Sequence, residues 1–422
     1  MDKLVIEGGR RLSGTVRISG AKNACLPILA ATLLTEDQSI IRNIPNLRDI
    51  STMAKILKTL GCEVSQDNDR MKVRPGKYRN YRAPYDLVST MRASICVLGP
   101  LIAKKRRAEV SFPGGCIIGP RPIDLHLKGL QALNVGIAVE GGYIIADASK
   151  LRGAHVYLGG HFGSSVLATA NTMMAATLAD GVTVIENAAC EPEVIDLAHF
   201  LIKMGAKIKG HTTHRIIVEG VKRLHGADHT VIPDRIEAGT YVLASAITKG
   251  DVTLKDVVSE HLVAVIDKMQ ESGLAVTRVP SGLRVRHVKR LKPIDVTTLP
   301  YPGFPTDMQA QVMSLMTVTD GISVITEKIY PERFIHISEL ARMGARIMLE
   351  GPSAIVKGVG HLSGAPVMAS DLRASAALVL AGLVAKGKTE VRRIYHLDRG
   401  YEKIEEKLNA LGASIRREKD LG

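Results

Sequence analysis

LKTLGCEV (residues 57–64), LQALNVGI (130–137), LIKMGAKI (201–208), MQESGLAV (269–276), LARMGARI (340–347) and LNALGASI (408–415) are six versions of one phrase. Each reads as the last turn of a helix, a glycine or asparagine that stops it, and the start of a strand. The stop falls at Gly61, Asn134, Gly205, Gly273, Gly344 and Gly412, at intervals of 73, 71, 68, 71 and 68 residues. A period near 70 is longer than the ~20–50 residues of common solenoid repeats. Each repeat is therefore expected to be a small α/β module, with function built where modules meet.

The grammar of a repeat is plain in residues 152–208. An apolar strand at 154–158 enters a Gly/Ser turn, and the small-residue run LATANTMMAATLADG follows as a helix. A β-branched strand at 182–185 leads to the turn NAACEPE, a second helix at 194–204 and a closing strand at Ile208. Residues 13–64 and 362–415 parse the same way. The first helix is Ala-rich and apolar all round, which predicts burial. The second carries charge on one side, which predicts a surface position. The fold class is α/β, with six βαβαββ-type repeats. The chain's 422 residues exceed the ~250–300 at which a single core stops growing. Two domains of three repeats follow, dividing within 221–234, and residues 1–20 can close the last repeat's sheet.

Composition excludes more than it selects. Lys and Arg outnumber Asp and Glu by 14, which fits a basic surface or an anionic ligand. Readers of single-stranded nucleic acid need stacking aromatics. Here aromatics are 4% with no Trp, so no nucleic-acid partner is expected. Asp2, Lys3 and Glu7 interrupt any secretory signal, and no apolar run reaches the ~18–20 residues of a membrane helix. Cys25, Cys62, Cys96, Cys116 and Cys190 are odd in number, without metal spacing. A reduced cytoplasmic protein with no metal and no cofactor is expected. Residues 382–389, GLVAKGKT, match the P-loop pattern, but they close an Ala-rich helix and precede a strand. Phosphate binding needs the reverse order.

Charged residues recur at equivalent turns. Before the first helices stand Lys22-Asn23, Met91-Arg92, Ser164-Ser165, Asp234-Arg235, Asp307 and Asp371 with Arg373. At the second turns stand residues 116–121, Glu191-Pro-Glu193, residues 329–333 and Asp398-Arg399. Singly, an Asp there is more often a helix cap than a base. Together, Lys22, Arg92, Arg121, Arg373 and Arg399 can form a cationic cluster suited to phosphate and carboxylate. The stretch FPGGCIIGPRPIDLH (112–126) sets Cys116 among glycines and prolines beside Arg121. Nearby positive charge lowers a thiol pKa and makes it reactive. Cys25, Cys62, Cys96 and Cys190 read as structural thiols in helices or their connections. His126 reads as a structural or supporting histidine, and Glu191 and Glu193 as acids suited to a helix start.

GAKNACLPILAA, MRAS, PGGC-x2-G-x-RP-x-DLHLKGLQAL, ENAACEPE, IPDRIEAGTY, FPTDMQAQ and DLRASAALVLAGLVA followed by IYHLDRGYEKIEEKL strongly resemble the UDP-N-acetylglucosamine enolpyruvyl transferase family. The resemblance runs from Val5 to Ala413. It implies an inside-out α/β barrel of two three-repeat domains, 21–232 with the cysteine loop 112–126, and 1–20 plus 233–422, with the active site in the cleft. It implies transfer of the enolpyruvyl group of phosphoenolpyruvate to the 3-hydroxyl of UDP-N-acetylglucosamine, opening peptidoglycan precursor synthesis. By the same resemblance, Lys22 holds phosphoenolpyruvate and Asn23 the sugar nucleotide. Arg121 and Arg399 bind phosphate or developing charge, and Arg92 and Arg373 complete the cationic wall. Arg121, Pro122, Ile123, Asp124 and Leu125 line the uridine diphosphate site, and Ser164, Ser165 and Val166 also contact the nucleotide. Asp307 acts on the sugar hydroxyl, and Ile329 touches the sugar. Cys116 protonates or transiently adds to the enolpyruvyl unit, and a phosphonate epoxide is expected to alkylate it.

The chain departs from the family at residues 163–169. Gly163 stands where the family has Lys, and Leu167 where it has Gly. A family Trp in the second repeat is replaced near Cys96. Uridine contacts then shift toward His161 or another cation. The rival readings are a homologue with another acceptor alcohol and an inactive anion-binding copy. Retention of Lys22, Cys116, Asp307 and Arg399 speaks against inactivity. Lys22 and Arg399 lie at turns, so replacing them is expected to remove activity and spare the fold.

Overall fold

The computed structural model describes residues 2–76, 80–114 and 123–420. All six stop residues adopt the left-handed conformation, with φ of 94° at Gly61, 67° at Asn134, 99° at Gly205, 100° at Gly273, 90° at Gly344 and 101° at Gly412. Glycine takes this conformation without penalty, and asparagine tolerates it. In the last five repeats the next amide reaches back to the final helical turn, as from Ala206 to the Leu201 carbonyl at 2.9 Å. That bond satisfies a carbonyl the helix would otherwise leave open. The phrase thus encodes a helix stop followed by a strand.

Each repeat builds one four-stranded sheet in the order first, second, fourth, third. In the third repeat, strand His155–Tyr157 pairs parallel with Val182–Glu186. That strand pairs antiparallel with Arg215–Glu219, which pairs with Lys207–Lys209. Between them run helices Val166–Ala176 and Pro192–Lys203. The expected βαβαββ order is therefore observed. Three strands are lent along the chain. Asp228–Thr230 pairs with Ser39–Arg42 of the first repeat, and Ser13–Arg17 with Asp251–Lys255 of the fourth. Asp2–Glu7 lies between Lys388–Arg392 and Ile415–Lys419, closing the last sheet.

The first helices are core. Every residue of Gln309–Thr317 and Leu372–Gly382 is buried, as is nearly all of Lys22–Ala31. The second repeat departs from the expected pattern: a 3-10 turn, Arg92–Val97, precedes the short helix Leu98–Lys105. The second helices are one-sided, as Arg48–Thr59 buries Ile50, Met53, Ile56 and Leu57 at helical spacing. Close approach selects the glycines between core helices. A Cβ at Gly129 would stand 2.0 Å from Thr172 Oγ1. Residues 382–389 end the helix Leu372–Gly382 and enter the strand Lys388–Arg392, so the P-loop pattern lacks its context.

Among the described residues, the chain divides into two compact units. One comprises residues 20–114 and 123–232, the other 2–19 and 233–420. In the former, buried side chains from Ala21 to Val231 form one hydrophobic cluster. No helix among the described residues is long and apolar enough to cross a membrane.

Candidate active site

In the unit of residues 20–232, the crossover into the first helix is tightly built. A Cβ at Gly20 would stand 1.8 Å from the Asn43 carbonyl oxygen, so only glycine fits. The Ala21 amide donates to the Ile232 carbonyl at 2.7 Å. Lys22 opens the helix Lys22–Ala31, which has no side-chain N-cap. Its Nζ lies 3.0 Å from Asp49 Oδ2, and the two side chains are 11% and 5% exposed. Lys22 lies at the turn the sequence predicts, and there it is half of a buried ion pair. Asn23 beside it is half-buried.

Arg92 opens the 3-10 turn and helps to set the state of His126. Burial, and secondarily the Arg92 charge, push the His126 imidazole down to about 3. Asn171 explains the tautomer. Its amide nitrogen donates to Ile95 O and faces His126 Nδ1, both at 2.9 Å, while its oxygen accepts the Gly99 amide at 3.0 Å. Nδ1 must then accept. His126 is a structural residue in the helix Asp124–Ala132, which also carries Leu125. Ile123, just before that helix, is buried. A Cβ at Gly160 would stand 3.0 Å from Leu125 Cδ1, so Leu125 adjoins the small hairpin of Gly159–Gly160 and Gly163–Ser164.

That hairpin accounts for the departure at Gly163. Its φ is 97°, a conformation a lysine would adopt only with strain. Ser165 is the N-cap of Val166–Ala176, accepting from Ala168 N at 3.4 Å. Ser164, Val166 and Leu167 are half-exposed. Cys116, Arg121 and Pro122 lie outside the described residues. The other four thiols are all buried. Burial pushes Cys62 and Cys96 up to about 12 and Cys190 to about 11, and raises Cys25 further. Cys62 begins the strand Cys62–Asp67, not a helix or connection.

In the other unit, Asp307 occupies the 3-10 turn Thr306–Met308. Its Oδ1 lies 2.9 Å from Arg333 Nη1 and its Oδ2 2.9 Å from Arg373 Nη2. The arginine side chains are 7% and 4% exposed and the carboxylate 27%. Burial pushes this carboxyl upward, but the charges of Arg373 and Arg333 outweigh it and hold it well below the usual range. Arg373 also stacks over the Tyr401 ring at 5.4 Å. Its buried Nη1 has no hydrogen-bond partner among the described residues. Asp234 and Asp371 cap their helices, each accepting two backbone amides. Asp398 pairs with Arg417 at 2.7 Å. Arg399 ends the half-buried 3-10 turn Leu397–Arg399, and the Ile329 amide donates to Glu327 Oε1 at 2.8 Å.

The sequence did not single out Asp49 or Glu327, and it left Arg333 without a role. Asp49 carries the mark of a dipole acid in a first helical turn. Arg333 sits 26 residues from Asp307, a separation that no local spacing rule connects. Chemically, one unit offers a buried lysine at a helix N-terminus. The other offers a carboxylate gripped by two guanidiniums, one with a donor to spare. Both suit an anionic substrate.

A family model described as EPSP synthase (3-phosphoshikimate 1-carboxyvinyltransferase) matches residues 6–408. UDP-N-acetylglucosamine 1-carboxyvinyltransferase 1 of Caldanaerobacter subterraneus subsp. tengcongensis is 56% identical over 415 residues, 98% of this chain and 99% of that one. The UDP-N-acetylglucosamine 1-carboxyvinyltransferase of Myxococcus xanthus is 55% identical, covering 99% of this chain and 100% of its own. Among solved structures, the enolpyruvyl transferase NikO from Streptomyces tendae matches with a TM-score of 0.89 at 25% identity, over 99% of this chain and 98% of that one. EPSP synthase from Acinetobacter baumannii matches with a TM-score of 0.77 at 17% identity, over 99% and 100%, a likeness of fold.

Proposed function

The chain belongs to the UDP-N-acetylglucosamine 1-carboxyvinyltransferase family, and on that premise we propose that it transfers the enolpyruvyl group of phosphoenolpyruvate to the 3-hydroxyl of UDP-N-acetylglucosamine. Phosphate is released, and the product opens peptidoglycan precursor synthesis in the cytoplasm. The observation that carries this reading is Asp307 held between Arg333 and Arg373, with Arg373 Nη1 buried and without a hydrogen-bond partner among the described residues. A buried donor without an acceptor is costly unless a ligand supplies one. The phosphate or carboxylate of phosphoenolpyruvate would do so.

The new C–O bond forms at C2 of phosphoenolpyruvate while C3 takes up a proton. The tetrahedral ketal then expels phosphate as C3 returns that proton. Lys22, Arg92, Arg121, Arg373 and Arg399 stabilise the phosphate and carboxylate throughout. Asp307 accepts the proton of the sugar hydroxyl. Two guanidiniums make it a weak base in the free protein. Drawing Arg373 onto the substrate anion would weaken that grip and raise its basicity as the reaction needs it. Cys116 supplies the proton at C3. Asn23, Ile123, Asp124, Leu125, Ser164, Ser165, Val166 and Ile329 hold the sugar nucleotide, Pro122 shapes the uridine site, and no cofactor takes part.

Phosphate release with phosphoenolpyruvate and UDP-N-acetylglucosamine tests the assignment. Turnover is expected with this pair. Silence here, with turnover on shikimate 3-phosphate, would overturn it.

A further inference from the structure

One fully buried side chain joins the turn of Asp307 to the turn of Ile329. Glu327 follows the strand Ile322–Thr326 and has no solvent exposure. Its Oε1 accepts the Thr298 hydroxyl at 2.7 Å and the amides of Ile329 and Tyr330 at 2.8 and 2.9 Å. Its Oε2 accepts the Thr306 hydroxyl at 2.9 Å. Thr306 Oγ1 in turn accepts from Arg333 Nη1 at 3.0 Å, and the same nitrogen reaches Asp307 Oδ1 at 2.9 Å. Thr298 Oγ1 completes the turn by accepting the Lys328 amide at 3.0 Å.

The direction of each bond follows from the carboxylate. Ionised, it only accepts, so the single proton of Thr306 is spent on Oε2. The Thr306 oxygen is then the acceptor for Arg333. One hydrogen of Nη1 goes to Thr306, and the other is aimed at Asp307. A buried carboxylate is costly unless its oxygens are satisfied, and here four donors from three segments satisfy it. We propose that Glu327 is a positioning residue, setting Asp307 and the Ile329 turn in register for the sugar nucleotide through Thr306 and Arg333. The proposal rests on the reaction assigned above.

Glutamine is the telling substitution because it can serve only one turn. With its oxygen toward the Ile329 and Tyr330 amides, its NH2 opposes the Thr306 proton. Flipped, the NH2 opposes those amides. Thr306→Val cuts the same chain at its next link and leaves Glu327 in place. Phosphate release at saturating phosphoenolpyruvate, with varied UDP-N-acetylglucosamine, should show kcat/KM lowered about ten- to a hundredfold in Glu327→Gln and in Thr306→Val. The double variant should be no worse than the poorer single one, because both break one path. Amide exchange of Ile329 and Tyr330 in the ligand-free protein should quicken about tenfold in Glu327→Gln, where a charge-assisted acceptor is lost. Losses that multiply in the double variant, or unaltered exchange in Glu327→Gln, would overturn the proposal. The exchange measurement needs no substrate. A failed reaction assignment, with no phosphate release by the unsubstituted chain, is thereby distinguishable from a failure of this proposal.

Discussion

Lys22 and Asp49 bury opposite charges 3.0 Å apart, and a buried pair responds to substitution asymmetrically. Removing one partner strands the other charge, at about 3–5 kcal/mol, whereas removing both can be nearly neutral. Lys22→Ala should therefore lower the unfolding midpoint as well as abolish turnover. Adding Asp49→Asn should restore much of the stability and none of the activity. Calorimetry beside a phosphate-release assay checks both, and a Lys22→Ala protein of undiminished stability would show that the pair is idle. A second residue-scale prediction concerns the thiols. Cys25, Cys62, Cys96 and Cys190 are buried, and burial raises all four, so each stays a protonated, inert thiol. A phosphonate epoxide should place one adduct, found by mass spectrometry on the peptide with Cys116, and sugar nucleotide should speed it. Cys116→Asp should escape labelling and keep some turnover. Adducts spread over several cysteines would make Cys116 a bystander.

The helix Asp124–Ala132 meets Val166–Ala176 through His126 and Asn171, and that contact has a pH signature. Unfolded, the imidazole titrates near 6.5; folded, it stays neutral to about 3. Below pH 6.5 the unfolded chain binds a proton that the fold refuses. Stability present above pH 6.5 is thus lost as the pH falls toward 3, by at most about 1.4 kcal/mol per pH unit. His126→Asn keeps an acceptor for Asn171 and does not titrate. Its midpoint should fall less than the parent's between pH 6.5 and 4.5, and parallel curves would sink the idea. Elements of this kind were unevenly legible. The helix stops at Gly61 through Gly412 were, because the left-handed conformation limits the residues allowed there. The caps at Asp234 and Asp371 were, because first-turn amides need acceptors. The second repeat's 3-10 turn was not, since its apolar pattern fits either helix. Nor were the partnerships of Lys22 with Asp49 and Asp307 with Arg333, each of which joins the two turns of one repeat across 27 or 26 residues, a separation that no local spacing rule connects.

At the scale of the whole molecule, the repeat plan is closed by strands borrowed from distant sequence. The first strand, Asp2–Glu7, is the most exacting case. Leu4 lies opposite Val391 on one side and Arg417 on the other, and Ile6 opposite Thr389 and Ile415. Leu4, Val5 and Ile6 are at most 1% exposed. Burying each is worth about 1.5–3 kcal/mol, so the three together contribute roughly 5–9 kcal/mol. That rivals the ~5–15 kcal/mol by which a whole domain is stable. Excising residues 2–7 should unfold the unit of residues 2–19 and 233–420. The hydrophobic cluster from Ala21 to Val231 contains none of the excised residues, so that unit should keep its fold. Hydrogen exchange can follow both at once. Protection should vanish from the strand Lys388–Arg392 and persist in Val182–Glu186. Loss in both strands would mean that the two units fold as one cooperative body, and protection in both would mean that the sixth sheet stands without its borrowed strand.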